Sequence, residues 1–357
     1  MLGPIPGDIN LRPLDPSDGR AIAQLSRETP DTGAVRFYNQ FHHDAYTTLM
    51  ALHPGATGVV AQASDRLVGI GLVTFGECWF EGELRPFAYL SSLSVHPEYR
   101  RRGIASQIAD WRVHRAHEHF RAAGRQGVIY AAIQSGNIGS IRTAASWSTQ
   151  HLASRHSAAV TSVRRRPPRR NAHVEVRTAR LDELERVAQR QNAFYDGYNL
   201  YTVETADDLE AWRAQELVGM RLRDVVVAVD RSGDIVAGMG VTPEGPLITA
   251  HVLRMPPALR VANALLHIVP TSGIATRAKV ERFWFASGEE AAGTHLWESI
   301  RWLFRDRATN VMTFFDGDTP IQQAIRLPRF MPNPSRGSIV LNAPIPADPA
   351  RPVYVIP

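Results

Sequence analysis

The apolar positions of this chain change period in a fixed order, and the order is played twice. Ile9 to Leu14 alternates as a short strand does, and Asp15-Pro16-Ser17-Asp18 then offers capping residues ahead of Ala21, Ile22 and Leu25 at helical spacing. A second helical piece covers Ala45 to Leu52. Gly58 to Ala63 and Leu67 to Phe75 are apolar runs parted by Ser64-Asp65-Arg66, the pattern of a hairpin. Leu90, Leu93 and Val95, with serines between, predict a strand that Pro97 stops because it has no N–H to donate. From about Gly103 a long helix carries Ile104, Ile108 and Trp111 and ends near Gly124-Arg125. Val128 to Ile133 then reads as a strand and Ile138 to Trp147 as a helix.

The second half repeats this order. Val174 to Arg177 and Leu181 to Gln191 copy the opening strand and helix, and Val225–Val229 with Ile235–Val241 copy the hairpin. Val280–Ala286, Thr294–Arg307, Val311–Phe315 and Pro320–Leu327 stand for the later elements. Residues 246–272 read as an insertion with its own helix. Tyr195, Tyr198 and Tyr201 lie where the first copy has its helix-connecting loop and either line a pocket or pack between the halves.

Chemistry concentrates where the first strand-to-helix turn reads Arg100-Arg101-Arg102-Gly103-Ile104-Ala105. Backbone N–H groups that open a helix have no intrahelical acceptor, and Gly103 and Ala105 put almost no side chain before them. Three arginines disfavour a helix N-terminus unless an anion sits there, so the turn calls for a phosphate carrier. It has neither the glycines of a Walker loop nor those of a dinucleotide fold, which disfavours a nucleoside triphosphate or NAD.

Val95-His96-Pro97-Glu98-Tyr99-Arg100-Arg101-Arg102-Gly103-Ile104-Ala105 resembles the signature V-x-P-x-x-[RQ]-x-x-G-x-[GA] of the Gcn5-related N-acetyltransferases (GNAT) at every fixed position. The resemblance implies an α/β (α+β) fold of two tandem GNAT domains, each a mixed, mostly antiparallel sheet flanked by helices. It implies that Leu93, Ser94 and Val95 hold the thioester and the pantetheine arm of acetyl-CoA or another acyl-CoA, with the Leu93 backbone N–H on the thioester carbonyl. Arg100, Arg101, Arg102, Gly103, Ile104, Ala105 and Ser106 would take the phosphates. Asn137 and Ser140 fit the family's N-x-x-[AS] helix, though Asn137 also suits a plain helix cap. The family's usual proton-donating Tyr falls on Ala144, so the general acid is unassigned. Tyr89, Ser91 and Ser92 occupy the positions of the usual base, which leaves Glu77, Glu81 and Glu83 as candidates without a choice among them. In some multidomain members the chain-terminal carboxylate, here on Pro357, reaches the first domain.

Composition narrows the partners. Net charge is +5 and all basic residues except Lys279 and the histidines are arginine; they are scattered apart from RRRPPRR at 164–170. Two prolines and the loss of apolar period make that run an interdomain linker rather than a nucleic-acid arm. The expected division is 1–163, a linker at 164–173, and 174–357. Cys78 is the only cysteine, which excludes an internal disulfide or a cysteine-rich zinc site. No apolar run reaches membrane-spanning length and no signal peptide opens the chain, so a cytoplasmic monomer or homodimer is expected, acting on neither membrane nor nucleic acid. His114, His117 and His119 lack ligand spacing; His42 and His43 read as surface residues or as part of an acceptor pocket.

The second copy's turn, Ser287-Gly288-Glu289-Glu290-Ala291-Ala292-Gly293, has acids where the first has arginines, which argues against a second phosphate site. Asp316-Gly317-Asp318 reads as turn and cap rather than a metal site. The expected function is acyl transfer to a primary amine of a small molecule; the rival is an acyl-CoA-binding sensor that has lost catalysis.

Overall fold

The computed structural model describes residues 9–31, 35–169, 171, 173–325 and 335–355. Strand β1 (Ile9–Pro13) leads through a short turn into helix α1 (Gly19–Glu28). The turn is a double cap. The Asp18 carboxylate accepts from the Asp15 N–H at 2.9 Å and takes the Arg12 guanidinium on both oxygens, at 2.6 and 2.8 Å. Strand β2 (Arg36–Phe41) and helix α2 (Ala45–Leu52) follow, then the antiparallel strands β3 (Thr57–Ala63), β4 (Arg66–Phe80) and β5 (Glu83–Val95). Helix α3 (Ile104–Ala122), strand β6 (Val128–Ile133), helix α4 (Ile138–Ala144) and strand β7 (Gln150–Ser162) complete the first half.

The second half opens with β8 (Val174–Thr178) and α5 (Leu184–Phe194), joined by the same cap. Glu183 accepts from the Arg180 N–H at 2.8 Å and pairs with Arg177 on both oxygens, at 2.6 and 2.7 Å. Repetition of one ion pair at one place in each half makes the duplication visible in side chains as well as in element order. Helix α6 (Ala206–Ala214) and the two-residue strands β9 (Glu216–Leu217) and β10 (Met220–Arg221) precede the hairpin of β11 (Asp224–Asp230) and β12 (Ile235–Pro243). The insertion forms β13 (Ile248–Arg254), α7 (Pro257–Leu266) and β14 (Ile274–Ala275). Then come β15 (Arg277–Phe285), α8 (Glu290–Leu303), β16 (Asn310–Phe315), α9 (Ile321–Ala324) and β17 (Ser335–Asn342).

Twelve strands share one sheet in the order β1-β3-β4-β5-β6-β17-β7-β16-β15-β12-β11-β8. Among the described residues only the β5–β6 and β15–β16 pairs of this sheet are parallel. The order is a palindrome built by exchange: β17, from the end of the chain, lies beside β6 of the first half, while β7, made with the first half, pairs with β16 of the second. A sequential cut at 163 therefore separates strands that pair: 335–342 completes the sheet edge that 1–163 leaves open. The insertion also crosses the divide, since β13 pairs with β2 from Ile248↔Phe41 to Arg254↔Arg36. Arg164 is fixed to α8, its N–H donating to the Arg301 carbonyl at 2.8 Å and its guanidinium pairing with Glu298, whereas Arg165 to Pro167 are exposed. Helices α1 and α2 cover one face of the first-half sheet through Ile22, Leu25 and Ala45, and α3 covers the other through Ile104 and Ile108. Among the described residues no helix is long and apolar enough to cross a membrane.

Trypsin acting on the native protein is expected to cut first within 165–170. The two fragments should still elute from gel filtration as one species of the intact size, because β7 and β17 remain paired in the same sheet. Their separation without denaturant would contradict the exchange. A second expectation concerns acid. Arg177 holds the Glu183 carboxyl down at about 2 from an ordinary 4.5, chiefly through their hydrogen bonds. Its stabilising contribution is complete above pH 4.5 and lost as pH falls toward 2. Glu183→Gln should lower the denaturation midpoint at pH 7 and flatten that part of the stability profile, as followed by circular dichroism.

Candidate active site

The parallel pairing of β5 with β6 covers only Phe87↔Val128, Ala88↔Ile129 and Tyr89↔Tyr130; beyond it the two strands part and leave a gap between 90–95 and 131–133. On its other side β5 keeps pairing with β4 but slips register. Ile70 faces Ser94 and Leu72 faces Ser91, so Ser92 and Leu93 together stand opposite Gly71, and Ser92 takes φ +54°. A bulge of this kind turns a backbone group out of the ladder at a chosen place. Leu93, Ser94 and Val95 thus line the mouth of the gap.

The turn at 96–103 closes that mouth. Pro97–Tyr99 makes one short helical turn, Arg101 takes φ +64° and Gly103, the residue capping α3, φ +80°. Left-handed residues at 101 and 103, after an extended Arg100, turn successive N–H groups out of any regular ladder, as an anion nest does. Among the described residues the backbone N–H groups of Arg101, Arg102, Gly103, Ile104, Ala105 and Ser106 have no acceptor; the next, on Gln107, donates to Gly103 O at 3.1 Å. Nothing stands within 4 Å of where a Gly103 Cβ would be, so this row of donors faces open space. Arg100 is drawn inward, its Nε donating to Val95 O at 3.0 Å, and Arg102 lies over the Tyr99 ring at 5.0 Å. The donor set, the openness and the adjoining gap fit a coenzyme A pyrophosphate and arm.

Asn137 and Ser140 do stand at the start of α4, and their visible bond is a helix cap: Asn137 Oδ1 accepts from the Ser140 N–H at 3.1 Å. The amide Nδ2 has no protein acceptor among the described residues and is left for a ligand. Ala144 is buried against the α3 core, so no hydroxyl can arise there. The three acidic candidates are not gathered at the gap. Glu77 is exposed and paired with Arg125. Glu83 lies eight residues from Ser91 along β5, about 26 Å for an extended strand. Glu81, at φ +50°, is a joint between the halves: it exchanges hydrogen bonds with Asn199 at 2.5 and 2.8 Å and accepts from the Asp348 N–H at 3.0 Å. Pro357 lies outside the described residues. His42 and His43 are exposed, and Cys78 is buried, its thiol pushed up to about 12 by desolvation.

Two side chains escaped the sequence reading. Tyr130 is 1 % exposed, its hydroxyl has no partner among the described residues, and its ring lies 5.0 Å from that of Tyr89 at the apex of the gap. Burial raises its pKa well above the usual tyrosine value, so the hydroxyl stays protonated. A lone tyrosine in the aliphatic strand VIYAAI was the available signal. The other is Arg112, whose helix face reads as ordinary amphipathic surface.

The second copy keeps the frame and differs at the turn and the gap. Pairing of β15 with β16 ends at Val280↔Thr313, and a bulge at Arg282 (φ +56°) repeats that at Ser92. Yet only residues 286–289 connect β15 to α8, four against the eight of 96–103, and Ala291 to Gly293 lie inside the helix. The gap is filled from within. Tyr195 donates its hydroxyl to Phe283 O at 2.6 Å, the Val353 N–H donates to Asp316 at 3.0 Å, and Tyr195, Tyr201 and Tyr354 pack ring on ring. Asp316 pairs with Arg155 at 2.8 Å, and no cluster with metal-ligand geometry occurs among the described residues.

Residues 22–146 match the profile of the Acetyltransferase (GNAT) family. A sequence search of curated proteins finds no match. Among solved structures the fold is similar to the Saccharomyces cerevisiae N-myristoyltransferase with bound myristoyl-CoA (TM-score 0.63, 9 % identity, 99 % of this chain and 90 % of that one). It is similar also to a GCN5-related N-acetyltransferase of Sphaerobacter thermophilus (0.60, 14 %, 97 % and 98 %) and to a tandem GNAT protein from the clavulanic acid biosynthesis pathway (0.56, 16 %, 95 % and 100 %). At such identities the likeness concerns the fold. The profile match defines the class of the first half, a GNAT domain over residues 22–146, and the whole chain shares the fold of a tandem GNAT protein.

Gly103→Asp sets a carboxylate in the open space before the N–H row at a left-handed position that Asp tolerates better than most residues, so the fold should survive. Affinity for coenzyme A is expected to drop about tenfold or more by charge repulsion; unchanged binding in calorimetry would remove the turn from the site.

Proposed function

We propose that this protein transfers an acyl group, most simply acetyl, from acyl-CoA held in its first half to a primary amine of a small molecule. The observation that carries the reading is the row of unpaired N–H groups from Arg101 to Ser106 at the mouth of the β5–β6 gap. Residues 100–106 hold the phosphates, Ser94, Val95 and the Asn137 amide hold the arm, and the Leu93 N–H meets the thioester oxygen. Bound acyl-CoA supplies an activated carbonyl; the chain fixes it and stabilises the charge that grows on its oxygen as the amine attacks. Tyr89 and Tyr130, closing the apex with rings 5.0 Å apart, support a short acyl group. Tyr130, a protonated hydroxyl without a partner, supports a proton donor to the departing thiolate in place of the missing tyrosine at Ala144. The reading calls for no metal, nucleic acid or membrane, and for one acyl-CoA per chain, since the second gap is filled by Tyr195 and residues 353–355.

A second reading, an acyl-CoA sensor without turnover, is favoured by two absences: a buried alanine at 144, and no carboxylate on either strand where the gap opens, at 90–95 and 131–133. Thiol release from acetyl-CoA against a panel of amines separates the two. Turnover with at least one amine, faster for acetyl than for long-chain acyl-CoA, is the expected result; tight binding with no release for any amine favours the sensor. Calorimetric titration with acetyl-CoA should saturate at about one per chain, and Arg101→Glu should abolish that event. Two equivalents bound would overturn the single-site assignment.

A further inference from the structure

Arg112 is the most deeply buried basic side chain of α3. It is 3 % exposed, and among the described residues no carboxylate pairs with it. Its Nη1 donates to Leu72 O at 3.2 Å and to Ser91 O at 3.0 Å, and its Nε donates to Ile108 O at 3.3 Å. Leu72 and Ser91 are the cross-strand pair that borders the bulge at Ser92 and Leu93. We propose that Arg112 is a positioning residue for acyl transfer, clamping both strands beside the bulge so that the Leu93 N–H points steadily at the thioester oxygen. This rests on the functional reading above, in which Leu93 provides that donor.

Burying a guanidinium against neutral carbonyls alone is a costly way to hold a helix on a sheet. A methionine or leucine would pack there at no charge penalty, so retention of the charge asks for a task that packing does not perform. Burial pushes the Arg112 pKa down to about 10, still high enough for the charge to persist at neutral pH. Room for it is made by Gly71, the residue opposite the bulge: a Cβ there would meet Ile108 Cγ2 at 2.5 Å and Arg112 Nε at 3.1 Å.

The second half of the same chain acts as an internal control. Its bulge at Arg282 has Gly238↔Trp284 and Gly240↔Glu281 on either side, which puts Met239 where the first half has Gly71. The only arginine of α8, Arg301, donates instead to Ser162 O at 2.8 Å and to Glu298. The copy without the phosphate turn has kept the bulge and dropped its clamp. A purely structural arginine has no reason to disappear together with the cofactor turn, since the strand-and-helix frame is common to both.

Arg112→Met, which fills the space and removes the donors, tests the clamp on the full chain. Affinity for free coenzyme A, which touches the intact turn, should stay within about twofold, while kcat falls about tenfold to a hundredfold, the range for a misplaced reacting group. The preference in binding for acetyl-CoA over coenzyme A, which reports the carbonyl contact, should shrink, and Arg112→Lys should restore part of both. A folded Arg112→Met with wild-type kcat and unchanged preference overturns the proposal. Should Arg112→Met not fold, Arg112→Lys is read in its place, with a lowered kcat at unchanged coenzyme A affinity expected and wild-type kcat overturning it. Where the wild-type protein itself releases no thiol, the functional reading fails, and the acetyl-CoA to coenzyme A affinity ratio still decides for or against Arg112.

Discussion

The exchange of β7 and β17 is the constraint on which the rest of the molecule depends. Each half of a duplicated fold needs a last strand to finish its sheet, and here each half receives it from the other. Ile339, Val340 and Leu341 are buried where β17 enters between β6 and β7, so the join is made of core and not of surface. With β5, β6 and their neighbours held in a sheet that cannot open at its centre, the parting of β5 from β6 is a fixed gap. A site assembled from backbone groups requires this stiffness, because N–H donors cannot be re-aimed by a change of rotamer.

Duplication followed by division of labour explains the contrast between the halves. Both keep the Arg–carboxylate cap at the first strand, the bulge beside the gap and the parallel pair behind it. Differences gather where a ligand would lie. The first half has a long turn of free donors and an open gap. The second has a short turn and a gap packed with its own tyrosines. The second gap anchors residues 353–355, and Asn199, Glu81 and Asp348 tie the halves together beside it.

Local signals were legible in the sequence and non-local ones were not. The strand at 128–133 and the helix at 45–52 appear at the bounds their apolar periods predict, and the motif at 95–105 falls on the turn whose backbone N–H groups lack acceptors among the described residues. Strand β2 was missed because RFYNQF has no clear alternation; its ladder with β13 sustains it, and β13 arrives two hundred residues later in the chain. The exchanged partners of β7 and β17 carry no sequence mark, since alternation fixes which face is buried but not which strand lies alongside. Arg112 was passed over for a related reason: on a helix an arginine reads as solvated, and only the bulge it meets across the sheet shows its use.

The position of β17 also sets the order in which the molecule is finished. The half that carries residues 96–106 leaves the ribosome first, yet its sheet stays open along β6 until residues 335–342 have been made. Until then β6 presents an unpaired edge, the feature that invites misassociation with other chains. The two halves therefore reach their native form together, once β17 has been made. A chain cut short before residue 335 would contain the entire signature motif and lack the strand that completes the sheet beside it.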